Sequence, residues 1–227
     1  MFECVFCLKK DINFFNITNR NYYFCNNCGG IFVGKESFVC ENTQKDRYLF
    51  HKNTLKNAGY KKFLQNFIDP VLEKVIHKVD INQYFSIFDF GSGPEPCLIQ
   101  LLYEYIDNGQ LPKNTQLFYY DKFFTSKKIF VPSNLCVCLE VVEHFENIDD
   151  SFNELSQCVI SGGFLAIGSA FVPEKSFSIE EFSKWWYKND ITHVSFYTIK
   201  AIIEVSKRAG FSFYAQLNDK CILLQKI

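Results

Sequence analysis

From residue 84 to the end of the chain, short apolar runs alternate with amphipathic stretches of helical length, and this alternation limits the fold more than any other feature. "YFSIFDF", "TQLFYYD", "NLCVCLEVV" and "GGFLAIGSA" read as strands, with "KKIFV" (127–131) as a shorter one. Between them "EPCLIQLLYEYID", "IDDSFNELSQCVI" and "TIKAIIEVSKRAGF" read as helices; the second opens on acids, which suit the positive end of a helix dipole. Strands that are apolar throughout must be covered on both faces. The pattern therefore predicts an α/β fold, a doubly wound and mainly parallel sheet with helices on either side. "FSFYAQLN" and "KCILLQKI" predict a closing hairpin.

Residues 1–40 have another character. Cys4-Val-Phe-Cys7 and Cys25-Asn-Asn-Cys28 have the C-x2-C…C-x2-C spacing of a four-thiolate metal site, and Gly29 and Gly30 suit the crowded turn after the second pair. So short a segment buries little apolar surface, so a structural metal would contribute directly to its folding. Zinc is the expected ion; iron fits the same sulfur tetrahedron. The six other cysteines are scattered, and Cys136 and Cys138 fall on one face of a strand as small buried thiols. Residues 41–80 carry apolar positions at three- and four-residue steps, the pattern of amphipathic helices, with Gly59 and Pro70 as expected interruptions. The expected division is a Cys4 zinc ribbon over 1–40, a helical linker or lid over 41–80, and the α/β domain over 81–227.

Hydrophobic residues are 48% and charged residues 22% of the chain, the balance of a globular protein. No apolar run approaches the ~20 residues that span a bilayer, so no membrane partner is expected. The start, "MFECVFCLKKDINFFN", lacks a basic region followed by an apolar block, which points to the cytoplasm. Residues 1–80 carry 12 Lys and Arg against 8 Asp and Glu, and residues 81–227 carry 12 against 17. That mild asymmetry permits a phosphate or nucleic-acid contact at the front without requiring one.

The strand "IFDF" runs into Gly91-Ser92-Gly93, and a helix follows. Two residues without Cβ let a ligand approach the backbone, and the C-terminal edge of such a sheet is where ligands bind. A dinucleotide loop would have a third glycine, where this chain has Glu95 and Pro96; a triphosphate loop would end in G-K-[ST]. Asp121 ends the second strand, where an acid can accept from both hydroxyls of a ribose. The third strand ends in Glu140, Glu143 and His144.

Asp89-Phe-Gly-Ser-Gly-Pro, Tyr120-Asp-Lys-Phe-Phe, Glu140-Val-Val-Glu-His144-Phe and Gly162-Gly-Phe-Leu resemble, in order, the motifs of class I S-adenosylmethionine-dependent methyltransferases. The resemblance covers roughly residues 45 to 227 and is closest to the uncharacterised methyltransferase-23 type. It implies a Rossmann-like, seven-stranded sheet with the C-terminal antiparallel hairpin. It also implies cofactor contacts from Asp89, Phe90, Gly91, Ser92, Gly93, Asp121, Lys122, Phe123, Glu140 and Val141. Asp121 would hold the ribose and Phe123 would lie against the adenine. Zinc modules precede this fold in ribosomal RNA guanine methyltransferases and in enzymes acting on nucleotide-linked deoxysugars. The implied acceptor is accordingly an RNA base or a small molecule. The altered glycine loop keeps open a second class, a non-catalytic scaffold on a degenerate fold.

Methyl transfer needs an in-line nucleophile, and a general base only where the acceptor must lose a proton. Glu140, His144 and His193 are the candidates; His144 could equally be a packed histidine under the sheet rim. Glu143-His144 resembles part of a metallohydrolase motif, but its second histidine is missing from the neighbourhood, which argues against a catalytic metal there. "FSKWWYKNDITHVSFYT" can lie over the cleft as a lid, with Trp185, Trp186 and Tyr197 stacking on substrate, or it can close the core. By resemblance, His51 and Tyr60 complete the same pocket.

Overall fold

The computed structural model describes residues 3–50, 53–78, 84–173 and 178–227. The chain opens with β1 (Ile12–Ile17), β2 (Arg20–Cys25), β3 (Ile31–Val33), α1 (Glu41–Leu49) and α2 (Ala58–Ile76). Then come β4 (Ser86–Phe90), α3 (Cys97–Asp107), β5 (Gln116–Tyr120), β6 (Ser133–Leu139), α4 (Ile148–Gln157) and β7 (Val159–Gly168). The last elements are α5 (Ile179–Lys184), β8 (Ser195–Phe196), α6 (Ile199–Arg208), β9 (Phe211–Asn218) and β10 (Cys221–Lys226).

The larger sheet has the order β5-β4-β6-β7-β10-β9. Its first four strands are parallel, and the β9–β10 hairpin joins β7 antiparallel, as the closing segments predict. Alternation along the strands divides the core. Ile87, Leu135, Val137, Phe164 and Ala166 pack with α2 and α3, while Phe88, Cys136, Cys138, Leu165 and Ile167 pack with α4 and α6. Each strand is thus buried on both faces, the physical basis of the apolar runs.

Two expectations need correction. Among the described residues this sheet has six strands, not seven, because 127–131 forms none. Phe130 instead turns its ring onto Phe88, Phe90 and Tyr120, so the segment covers a sheet face and leaves β5 as the edge. Pro70 does not interrupt α2, which runs through it from an Asn57 cap. A proline inside a helix costs about 3 kcal/mol. Burying Leu64, Phe67, Ile68, Val71, Leu72 and Val75 on one face, at roughly 1.5–3 kcal/mol each, outweighs that.

The smaller sheet has the order β1-β2-β3-β8 and is antiparallel throughout. Thr18 and Asn19 both take positive φ, 48° and 63°, which makes the two-residue β1–β2 turn of the kind that matches strand twist. Its fourth strand comes from the far end of the chain: Ile31 pairs with Phe196 and Phe32 with Ser195. Phe15, Tyr22, Ile31 and Val33 share one apolar cluster with Val172, Phe182, Tyr187, Val194 and Phe196. The cysteine-bearing segment is therefore joined to Ser195–Phe196 through the backbone and to Val172, Phe182, Tyr187, Val194 and Phe196 through the core. Among the described residues no helix is long and apolar enough to cross a membrane.

Candidate active site

A cleft of about 770 Å³ opens at the C-terminal ends of β4, β5 and β6. Its floor is the turn after β4. Gly91 and Gly93 have φ of +83° and +73°, and the Gly91 and Ser92 amides both donate to the Tyr120 carbonyl, at 2.7 and 3.1 Å. The two glycines serve different ends. A Cβ on Gly91 would run into the γ-methyls of Val141, whereas one on Gly93 would meet nothing within 4 Å. Gly91 is required by packing; Gly93 leaves space over the loop.

Asp121 fastens this loop to the next. Its carboxylate accepts from the amides of Gly93 (2.9 Å), Phe123 (2.8 Å) and Phe124 (3.2 Å). Asp89 lies just behind the loop rather than on the cleft wall, and burial, with Asp121 nearby, pushes its carboxyl up to about 7. Phe90, Gly91, Ser92, Gly93, Asp121, Lys122, Phe123, Glu140 and Val141 all line the cleft. From the helices, Tyr48 sets its ring 5.2 Å from that of His144 and 5.7 Å from that of Phe123, and Tyr60 stacks on Phe63 at the rim.

Beyond β6 the chain makes a polar knot. Glu140 is a non-glycine at φ 53°, a strained setting that turns it toward the cleft side of the sheet. The Tyr187 hydroxyl donates to Glu140 Oε2 at 3.1 Å and lies 3.1 Å from the Ser169 hydroxyl, which in turn donates to Glu143 Oε2 at 3.1 Å. Burial raises both acids. Glu143, with Glu140 as a like-charged neighbour, reaches about 8, and Glu140 is raised against the opposing Tyr187 hydroxyl. His144 and His193 meet edge to face, ring centres 4.7 Å apart, and burial holds His193 down at about 4, so it is neutral at pH 7. The segment carrying His193 is fixed from several directions. The Val194 amide donates to the Glu143 carbonyl, Arg20 donates to the carbonyls of Ile191 and His193, and Arg47 pairs with Asp190 at 2.9 Å.

The aromatic residues expected to form a lid are placed differently from one another. Trp186 lines the cleft and is 64% exposed. Trp185 and Tyr197 do not line it: Trp185 packs on Phe182 and Phe196, and Tyr197 is buried between Phe6 and Phe152 with its hydroxyl donating to Val142. Both pack in the core, Tyr197 beneath α6 and the cysteine turn. His51 lies outside the described residues. Tyr187 and Ser169, which tie the two glutamates together, carry no motif that marks them in sequence; the end of β7 and the helical turn Trp186–Asn189 bring them to Glu140 and Glu143.

The four cysteines of the two pairs lie with all sulfurs within 4.8 Å of one another, Cys4 to Cys28 at 3.6 Å and Cys7 to Cys25 at 3.5 Å. A tetrahedron of Zn–S bonds of about 2.3 Å has sulfurs about 3.8 Å apart, so the spacing fits such an ion. The Phe6 amide and the Asn27 side chain donate to Cys4 and Cys7 sulfur, as partners of thiolates do. The Cys28 thiol's bond to Cys4 pulls the Cys4 thiol down to about 6.

No family model matches the chain, and no curated protein matches it. Solved structures similar to it include an O-methyltransferase family protein from Burkholderia thailandensis, at 13% identity over 80% of this chain and 61% of that one, TM-score 0.49. PigF with SAH is similar at 13% identity over 75% of this chain and 58% of that one, TM-score 0.45. CalO1, a methyltransferase in calicheamicin biosynthesis in its SAH-bound form, is similar at 11% identity over 76% and 59%, TM-score 0.46. The chain spans about six-tenths of the length of each of these three proteins.

Proposed function

We propose that the chain is an S-adenosylmethionine-dependent methyltransferase whose Cys4, Cys7, Cys25 and Cys28 hold a structural zinc ion. The observation that carries the reading is the turn after β4. Gly93 presents an open backbone to the cleft while Asp121 holds both neighbouring loops, and acids stand at three successive strand ends. When bound there, the cofactor supplies an electrophilic methyl group on a sulfonium. The residues of the chain bind it and orient the acceptor. Gly91, Gly93 and Val141 form the surface under it, Asp121 and Phe123 lie at its ribose and adenine, and Glu140, His144 and His193 face the acceptor side. Trp186, Tyr60 and Tyr48 limit water around the reacting atoms.

A small-molecule acceptor suits this cleft better than RNA. Asp121, Glu140, Glu146, Asp150, Glu154 and Asp190 line it, and its Arg47, Lys122 and Lys128 are paired with Asp190, Glu41 and Glu154. A wall of that sign repels a phosphate backbone.

Calorimetric titration with S-adenosylmethionine and S-adenosylhomocysteine tests the reading. We expect one site per chain for each. Absence of binding for both would remove the enzyme and leave a scaffold on a degenerate fold.

A further inference from the structure

We infer that Glu143, His144 and His193 form a binding site for one divalent transition-metal ion on the cleft wall. It is separate from the cysteine site and made of nitrogen and oxygen donors. One ligating atom from each residue lies within 4.8 Å of the others, and Glu143 Oε1 stands 3.9 Å from His144 Nε2. Two nitrogens and an oxygen bound to one ion at about 2.1 Å would be about 3 Å apart at right angles. The cluster reaches that by closing each separation by an ångström or two.

The groups around the cluster are arranged as they are around metal ligands. His144 Nδ1 lies 3.1 Å from the Thr192 carbonyl, and His193 Nδ1 lies 2.8 Å from the Tyr187 carbonyl. A carbonyl oxygen only accepts, so each Nδ1 carries a proton, and in the neutral ring, the form that ligates a metal, the lone pair is on Nε2. Backbone carbonyls fixing the tautomer in this way are the usual outer partners of ligating histidines. Glu143 is oriented too, since its Oε2 accepts from Ser169. Its Oε1, by contrast, is fully buried with no hydrogen-bond partner, and it is the oxygen facing His144. A buried carboxyl oxygen without a hydrogen-bond partner is costly, and a cation between it and the imidazoles supplies what is missing.

The sequence argues against a metal here because no second histidine stands near Glu143-His144. The fold supplies it from fifty positions on. Pairing of β3 with β8, together with the Val194 amide bonded to the Glu143 carbonyl, brings His193 against His144. The donor set selects the ion. Two imidazoles and one carboxylate suit Zn²⁺, Fe²⁺, Mn²⁺ or Co²⁺, whereas Ca²⁺ and Mg²⁺ take oxygen shells and the softest ions seek thiolate. Three protein ligands leave positions open, and all three residues line the cleft. Those positions would take an oxygen of the methyl acceptor, a hydroxyl or carboxylate; this last step rests on the methyltransferase reading.

The test uses full-length protein with its cysteine site filled by zinc. Mn²⁺, which thiolates bind poorly, is titrated and the free ion followed by electron paramagnetic resonance. We expect one Mn²⁺ per chain, with binding at least ten-fold weaker in both Glu143→Gln and His193→Gln while zinc content stays unchanged and neither variant melts below the wild type. Failure of the wild type to bind Mn²⁺, or equal binding in both variants, overturns the site. Should a variant melt early, one equivalent of Co²⁺ added to the zinc-loaded wild type decides. Weak visible bands without thiolate charge transfer support the site, and thiolate charge transfer or no bands overturn it. S-adenosylmethionine titrated into the same preparation separates the two conclusions: Mn²⁺ binding without cofactor binding keeps the metal and removes the methyltransferase.

Discussion

Among the described residues two groups of side chains could hold a metal ion, and they are built in opposite ways. The cysteine group takes four like donors from two tight turns at one end of the chain and encloses them. Thr198 donates to the Cys28 carbonyl at 2.5 Å, and Arg208 donates to the Val5 and Phe6 carbonyls. The group around Glu143 takes unlike donors from two distant segments and leaves them facing a cleft. A closed set of thiolates can hold a fold together. Buried acids raised to about 7 and about 8 at Asp89 and Glu143 work against the fold at neutral pH. On the proposed reading the front of the chain serves stability and the sheet edge binding.

Removing the metal proposed at the front probes the first half of that contrast and should have the largest effect. Zinc bound by four thiolates contributes on the order of 10 kcal/mol to folding of a small unit. Because β3 pairs with β8 and Arg20 holds the carbonyl of His193, the loss should reach the cleft. Cys25→Ser is expected to abolish stoichiometric zinc and to lower the melting temperature by more than ~10 °C, at about 2–4 °C per kcal/mol for a chain of this size. A Cys25→Ser protein that melts like the wild type would show that the front segment stands without metal.

The second half predicts the opposite sign. Asp89 ionises at about 7 in the fold against an ordinary value of 3.8, with burial as the main cause. A raised carboxyl favours the fold below pH ~4, and that contribution is lost as pH rises through ~7. At pH 8 the ionised group therefore destabilises the empty protein, by at most about 4 kcal/mol at ~1.4 kcal/mol per unit. Asp89→Asn should melt several degrees above the wild type at pH 8, and the gap should narrow toward pH 5. An unchanged or lower melting temperature at pH 8 would mean that this acid is already compensated in the fold.

The same contrast explains what could be read from the sequence. Spacing marks Cys4, Cys7, Cys25 and Cys28 because their geometry is local, two turns with two residues between ligands. Strand and helix runs mark the parallel sheet because burial on both faces leaves unbroken apolar stretches. The pairing of β3 with β8 is not legible, since Ser195-Phe196 is only two residues long and its partner lies far away in the chain. With that pairing hidden, the meeting of His144 and His193 is hidden as well. Segment 127–131 misleads for a related reason. Its apolar residues are needed to cover a sheet face, and cover and strand have the same composition.

The smallest effect on stability lies within the turn that carries the functional reading, and it separates packing from binding at two neighbouring glycines. Both have positive φ, so alanine at either costs about 1–2 kcal/mol in backbone strain. Gly91→Ala adds a clash with Val141, and overpacking typically costs a further ~1–3 kcal/mol. Gly93→Ala adds no clash, because its methyl points into open space above the cleft floor. Gly91→Ala should therefore melt lower than Gly93→Ala, while Gly93→Ala should keep most of its stability and lose S-adenosylmethionine binding by at least ten-fold. If Gly93→Ala binds the cofactor as the wild type does, the ligand does not cross this loop, and the open space over Gly93 serves something else.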